Sequence, residues 1–366
     1  MRKIKTFFEN NFSTFILYKR FFLNPFKVIP PFLRFFSDYF FNTNKGFPLN
    51  INLSITSRCN SRCVMCYDKN YLNKPDDELS YKEIISFIND IAQYKPLIFL
   101  TGGEPFLHHN IIDILQYIKK RKLHCGICTN GTLLNESIIK SLVDFDIDNI
   151  IFSIHGTEEN HDNITGVKGS YKKAIHNLKQ FCELKKNTHV MVNCAILPEN
   201  IGSIEKLILI CEKIGVNSVR LEHLSFLTNE EIDNHYKLWH HYFPNFPISL
   251  HQYVENDNIS FLSRKIKLIK NKQFKVPVLF KPSLDDSEID EWYSQQFRFR
   301  RRCLFLWLGV FITPKGDVYP CQTLGFRLGN IKEKPLKEIF NSHKAIKLRC
   351  LIKKELMPSC SRCCKL

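Results

Sequence analysis

Leu97–Thr129 reads LIFLTGGEPFLHHNIIDILQYIKKRKLHCGICT, and this stretch decides the fold. Leu97–Leu100 is a short run of large apolar residues and predicts a strand. Ile111–Lys122 repeats apolar side chains at Ile111, Ile114, Leu115 and Ile118, the spacing of one helical face, and predicts a helix. Leu123–Thr129 predicts the next strand. Working outward, the same alternation predicts strands at Ile51–Thr56, Asn149–Ile154, Val190–Ile196 and Ser218–Glu222. Helices are predicted at Tyr81–Tyr94, Leu134–Asp144, Tyr171–Lys186, Ser203–Ile214 and Asn229–His241. Short β-rich runs alternating with amphipathic helices imply parallel βα units. Six such units predict an α/β protein built as a partial (βα)6 TIM-type barrel, whose chemistry gathers at the C-terminal ends of the strands.

Two of those strand ends carry unusual residues. After the first strand comes Thr56-Ser-Arg-Cys59-Asn-Ser-Arg-Cys63-Val-Met-Cys66-Tyr67. Three thiols on one short loop suit a soft metal or an iron–sulfur cluster. Three ligands rather than four would leave one iron of a four-iron cluster open to an outside ligand. After the second strand comes Thr101-Gly102-Gly103-Glu104-Pro105, where two glycines let the backbone turn sharply and offer its N–H and C=O groups without Cβ interference.

The chain has 366 residues, 14 of them cysteine, and a formal charge of +16. That length buries a large core, and 44% hydrophobic with 24% charged residues excludes a largely disordered chain. No apolar run approaches the roughly 18 residues of a membrane span. The cysteines cluster at Cys59–Cys66 and after residue 300, in a chain too long for a disulfide scaffold. The basic start, Met1-Arg-Lys-Ile-Lys5, leads into no unbroken apolar run and no small-residue cleavage site. A reduced, cytoplasmic compartment is therefore expected. Residues 1–48 are Phe-rich and basic, with Ile4, Phe7, Phe8, Phe12, Phe15 and Ile16 at helical spacing. Such a segment either docks on the following domain or, through residues 1–40, makes peripheral contact with an acidic membrane surface. Nucleic acid is not expected as a partner, since no helix-turn-helix or zinc-finger spacing is present.

Cys59-x3-Cys63-x2-Cys66 followed by Gly102-Gly103-Glu104-Pro105 resembles the radical S-adenosylmethionine (SAM) superfamily. Further matches lie in order at Thr129-Asn130-Gly131-Thr132, Phe152-Ser153-Ile154-His155-Gly156, His161-Asp162 and Gly169-Ser170-Tyr171. The resemblance covers about residues 50–225. It implies that Cys59, Cys63 and Cys66 hold three irons of a [4Fe–4S] cluster, whose fourth iron binds the amino and carboxylate groups of SAM. Reductive cleavage of SAM then gives a 5′-deoxyadenosyl radical that abstracts a substrate hydrogen, with the electron drawn from a flavodoxin- or ferredoxin-type donor. By the same resemblance Gly102, Gly103, Glu104 and Pro105 contact the methionyl amino group, and Ser153 and Asn193 are candidates for the carboxylate and ribose. His155 departs from the Asp common at its position; it either meets substrate and titrates near neutrality or is a packed rim histidine.

The C-terminal cysteines read Cys303-x12-Gly316-Asp-Val-Tyr-Pro-Cys321, then Pro358-Ser-Cys360-Ser-Arg-Cys363. Ile312–Tyr319 has the pattern of a hairpin around a Pro/Gly turn, and a helix is expected at Leu336–Phe340. This segment resembles the SPASM/twitch auxiliary-cluster domains of radical SAM enzymes. It implies one fully ligated auxiliary [4Fe–4S] cluster on Cys303, Cys321, Cys360 and Cys363, with Cys350 and Cys364 as rivals for a place. A zinc ribbon on the same four is the other reading. Cys125 and Cys128, three apart on a strand, point to opposite faces and are not expected to act as a pair.

The expected organisation is thus an N-terminal segment (1–48), a core barrel (49–225), a linker that faces substrate (226–300) and a small cysteine-rich α+β domain (301–366). Three functions follow from the resemblance. The first is oxidation or rearrangement of a small molecule such as a sugar, cyclitol or envelope precursor. The second is maturation of a ribosomally made peptide, and the third is a non-catalytic iron–sulfur relay. The short segment before the first strand leaves little room for a peptide-recognition domain and ranks the small molecule first. No catalytic base is assigned; the acidic run Asp285, Asp286, Glu288, Asp290 and Glu291 reads as a solvated surface.

Overall fold

The computed structural model describes residue 39 and residues 46–74, 78–245, 253–254, 259–294, 297 and 302–365. The amphipathic segment predicted within residues 1–40 lies outside these, Tyr39 excepted.

Six strands follow the predicted beat: β1 (Asn50–Ser54), β2 (Leu97–Thr101), β3 (His124–Thr129), β4 (Asn149–Ser153), β5 (His189–Ala195) and β6 (Ser218–Glu222). Each pairs in parallel with the next. A minor two-stranded sheet joins β7 (Phe226–Leu227) to β8 (Tyr253–Val254). The main sheet grows beyond six strands at both edges. β9 (Val278–Lys281), from the segment read as a linker, pairs in parallel with β6. β10 (Gly309–Ile312), from the cysteine-rich segment, pairs in parallel with β1 and turns back through β11 (Asp317–Tyr319) to β12 (Gly329–Asn330). The auxiliary segment is therefore an extension of the core sheet. Among the described residues the sheet stays open, running from β12 to β9.

The helices form where the 3.6-residue pattern meets a capping residue. Tyr81–Ala92 starts at a reciprocal Ser80/Glu83 box and buries Ile84, Phe87, Ile88 and Ile91 against the sheet, each such side chain contributing about 1.5–3 kcal/mol. Ile111–Lys120 and Ile204–Ile214 bury equivalent stripes. Glu158–Thr165, Phe261–Lys270 and His343–Lys354 are helices that the sequence reading left unassigned. Glu158–Thr165 is too polar for a strong periodic signal.

Inside the curve of the sheet, side chains alternate with the strand period. Ile151 and Met191 form a buried apolar plug with Phe99, Cys128 and Leu279. Toward the C-terminal ends of the strands the inward positions turn polar: Ser153, Asn193, Arg220, Glu222 and Lys281. That change of chemistry along the strands locates the site.

Candidate functional site

The loop carrying Cys59, Cys63 and Cys66 is held by its backbone. Arg62 and Val64 N–H groups donate to the carbonyls of Thr165 and Ile164 at 2.8 and 3.0 Å, which ties the loop to the helix after β4. Cys59 N–H donates to Asn73 Oδ1 at 2.9 Å, and Asn130 Nδ2 donates to Asn60 Oδ1 at 2.7 Å. The Gly102–Glu104 turn closes onto the same loop, with Gly103 N–H donating to Thr56 O and Glu104 N–H to Arg58 O, both at 2.8 Å. Glycine is required here. Gly102 has φ +154°, and a Cβ on it would lie 2.6 Å from Thr56 O, well inside contact distance. A Cβ on Gly103 would run into Arg58 O.

Glu104 does not face solvent. Its carboxylate accepts from Thr129 Oγ1 (2.8 Å), Asn130 N–H (2.7 Å) and Phe106 N–H (3.2 Å). Burial outweighs these bonds and raises its pKa to about 7. Its side chain thus ties the end of β2 to the end of β3, leaving the backbone of Gly102–Pro105 to meet a ligand.

The three thiols, the glycine turn, Ser153, His155, Asn193 and Glu222 line one cavity of about 250 Å³. Burial, and then Cys66 and Cys59, push the Cys63 thiol to about 12. Cys66 is raised to about 11 by burial, then by Asp68, and Cys59 is raised chiefly by burial. Three thiols that resist ionisation because they are desolvated and close together would be relieved by a shared cationic iron centre. Ser61 N–H already points at Cys59 Sγ, 3.4 Å away, the kind of contact that tunes a cluster.

The far wall of the cavity holds a buried ionic group. Arg220 Nε donates to Asn193 Oδ1 at 2.7 Å, Asn193 Nδ2 donates to Glu222 Oε2 at 3.3 Å, and Arg220 pairs with Glu222 at 3.2 Å. Burial alone would raise Glu222; Arg220, Lys281 and Lys365 overcome it and hold the carboxyl at about 2. Lys281 is lowered to about 7 by burial, then by Lys365 and Arg220. The sequence reading missed this group. Arg220 and Glu222 sit two apart within β6, so strand parity placed both on the inner face, and that signal was available. Asn193 lines the cavity with both ends of its amide already engaged.

His155 does not titrate near neutrality: burial, then His161, lowers its pKa to about 3. The acidic run is surface. Asp285 caps the helix Asp286–Trp292, and Asp286 pairs with Lys270 at 2.8 Å. Cys125 is buried on the outer face of β3, whereas Cys128 faces the cavity with its sulfur 3.6 Å from Ser153 Oγ.

Cys303, Cys321, Cys360 and Cys363 come together from three parts of the chain. Burial and then Cys321 raise Cys303 to about 12, and burial, Cys303 and Cys321 raise Cys360 far above its ordinary value. Cys363 is raised by a hydrogen bond with Cys364, then by burial, and it also feels Cys321 and Cys360. Leu324 N–H donates to Cys321 Sγ and Lys365 N–H to Cys363 Sγ, each at 3.4 Å. Cys350 is exposed. Cys364 touches Cys363 but faces Lys281, Lys365 and Glu222. Among the described residues no three His, Cys, Asp or Glu side chains converge closely enough to hold a single metal ion; both thiol sets instead interact across a wider space.

Residues 53–211 match the family model of the Radical SAM superfamily, and residues 303–364 match that of the iron–sulfur cluster-binding domain called SPASM. The chain is a radical SAM enzyme with a SPASM domain. Its cofactors are those of that family: a SAM-binding [4Fe–4S] cluster, SAM and auxiliary iron–sulfur. The radical SAM enzyme is 26% identical over 306 residues to an AdoMet-dependent heme synthase of Methanosarcina barkeri, covering 81% of this chain and 82% of that one. It is 26% identical over 339 residues to the tungsten-containing aldehyde ferredoxin oxidoreductase cofactor-modifying protein of Pyrococcus furiosus, covering 85% and 86%. Among solved structures it shares the fold of Streptococcus suis SuiB bound to precursor peptide SuiA, with TM-score 0.64, 16% identity, and 92% and 76% of the chains covered. No helix among the described residues is long and apolar enough to cross a membrane.

Proposed function

We propose that this radical SAM enzyme abstracts a hydrogen atom from a small molecule held at the C-terminal mouth of the sheet. In this reading Cys59, Cys63 and Cys66 hold the SAM-binding cluster, and Cys303, Cys321, Cys360 and Cys363 hold one auxiliary cluster. When bound, the first cluster and SAM supply the radical that takes the hydrogen. The backbone of Gly102–Pro105 receives the amino group of SAM, and Ser153 its carboxylate. The Arg220–Glu222 pair gives the far wall fixed charges that orient the reactant without reorganising. Bound to Cys303, Cys321, Cys360 and Cys363, the auxiliary cluster would supply an acceptor for the electron left by substrate oxidation or a contact that positions the substrate, and a flavodoxin- or ferredoxin-type protein would supply the starting electron.

One observation carries the choice of a small molecule. The cavity is about 250 Å³ and must take SAM as well, against a usual range of about 300–1,000 Å³ for ligand pockets. The two relatives above are named for heme synthesis and cofactor modification, which supports the same reading. A peptide is the second reading, favoured by an adjoining cavity of about 220 Å³ lined by Tyr71, Phe311, Lys315 and Tyr319. It shares Asp68, Leu72, Gly103 and Gln322 with the first, so an extended chain has somewhere to continue.

The test is turnover by the anaerobically reconstituted protein with SAM, reductant and fractionated cell extract. A low-mass, protease-resistant fraction should raise 5′-deoxyadenosine formation above the substrate-free rate. Stimulation found only in a protease-sensitive fraction would replace the small molecule with a peptide.

A further inference from the structure

His235 is the only side chain among the described residues that buries two polar atoms without a hydrogen-bond partner, Nδ1 and Nε2 of its imidazole. The residue is 0% exposed, so bulk solvent does not reach either nitrogen. A buried donor or acceptor left unmade is costly, and an apolar ring at this position would avoid the cost. An imidazole in either protonation state keeps at least one N–H to give.

The helix shows what the ring faces. Asn229–Tyr242 fully buries two side chains, His235 and Trp239, and it packs on the turn Pro358–Cys360. Glu231, one turn before His235, accepts from Ser361 Oγ at 3.0 Å and pairs with Arg362. Trp239, one turn after it, meets Phe326 edge-on with ring centroids 4.9 Å apart. Leu324, two residues before Phe326, donates its N–H to Cys321 Sγ at 3.4 Å. Residues four apart share one helical face, so His235 lies between the Cys360–Cys363 segment and the segment that follows Cys321. These are three of the four thiols read as auxiliary ligands, and Cys363 feels the charge of both Cys321 and Cys360. A cluster on those thiols supplies sulfur acceptors, which the buried ring otherwise lacks.

We infer that His235 donates an N–H hydrogen bond to a sulfur of the auxiliary cluster, a cysteine thiolate or a bridging sulfide, and so tunes its reduction potential. The inference rests on the reading that Cys303, Cys321, Cys360 and Cys363 hold that cluster. A hydrogen bond to sulfur favours the reduced, more negative cluster and raises its potential.

The experiment is a redox titration of the reconstituted holoenzyme followed by EPR, with iron content and Tm checked for each variant. The auxiliary signal is the one that Cys303→Ala/Cys321→Ala abolishes. His235→Phe keeps a ring without either nitrogen, and His235→Gln keeps an N–H. In His235→Phe the auxiliary potential should fall by about 59 mV, a tenfold change in a one-electron equilibrium, while the triad potential stays where it is. His235→Gln should recover most of the difference. In wild type labelled with 15N-histidine, pulsed EPR of the reduced auxiliary cluster should show one weak nitrogen coupling, which is read whether or not a variant folds.

An auxiliary potential unchanged in His235→Phe, equal falls in His235→Phe and His235→Gln, or no nitrogen coupling in the wild type would overturn the inference and leave the cluster in place. A strong coupling, with auxiliary iron lost from His235→Phe, would make the ring an iron ligand and overturn it equally. A wild type with no auxiliary signal would remove the cluster reading itself, and the inference with it.

Discussion

Arg362, between Cys360 and Cys363, forms a two-pronged ion pair with Glu231, Nη1 lying 2.6 and 2.7 Å from the two carboxylate oxygens. The guanidinium is fully buried and also donates to the carbonyls of Trp292 and Ser294, both at 2.7 Å. Ser225, on the wall of the cavity that holds the three thiols, donates its hydroxyl to the Arg362 carbonyl. One residue thus connects the auxiliary thiols to the cavity mouth. Removing one partner of a buried pair costs about 3–5 kcal/mol. Arg362→Ala should therefore lower Tm and lose auxiliary iron in preference to iron at the triad. Iron content with and without Cys303→Ala in the same background reads this directly.

The glycine turn makes a sharper prediction. Gly102→Ala puts a methyl group against Thr56 O in a backbone region that L residues rarely adopt. The strain, about 1–3 kcal/mol, must push the turn away from the cysteine loop. SAM affinity should fall at least tenfold while the triad cluster still assembles, measured by SAM binding alongside the cluster absorbance.

Acid should destabilise this protein well above the carboxylate range. His155 and His223 are lowered to about 3, and His161 and His235 to about 4, by burial first in every case. Unfolded, each takes a proton below about pH 6.5. The unfolded state then binds more protons, so stability is lost as pH falls from about 6.5 toward 4, at up to about 1.4 kcal/mol per pH unit for each histidine. Glu104, raised to about 7, has the opposite sign and offsets one of them between about pH 7 and 4.5. Denaturant unfolding at pH 7.0 and 5.5 should show a clear loss, and His155→Asn should shrink it. A stability flat across that interval would contradict the burial of these rings as neutral species.

Cys350 is exposed and is not among the charges felt by Cys303, Cys321, Cys360 or Cys363, so Cys350→Ala should leave iron content and Tm unchanged. A fall in auxiliary iron would move it into the ligand set.

Much of this was legible in the sequence because parallel strands keep their register. Each strand of β1 to β4 ends where a motif begins, so the Cys59–Cys66 loop, Gly102–Gly103 and Ser153 had to share one rim. What was not legible came from long-range pairing. Nothing in Gly309–Ile312 announces β1 as its partner, and Val278–Lys281 is too short to reveal that it extends the sheet beside β6. Arg220 and Glu222 were visible as charges but not as a pair, since their meaning depends on Asn193 and Lys281 arriving from neighbouring strands. His155 was visible as a departure from Asp; its burial, which keeps it from titrating near neutrality, was not.

Everything above depends on the chain holding two iron–sulfur sites, one open to SAM and one closed. That is tested most directly by counting iron and 5′-deoxyadenosine together in the reconstituted wild type and in the Cys303→Ala/Cys321→Ala double variant. About eight irons are expected in the wild type and about four in the variant, four per cluster, with SAM still cleaved on the triad in both when strongly reduced. An iron count near four in both proteins, or no SAM cleavage by a wild type whose triad cluster is intact, would contradict it.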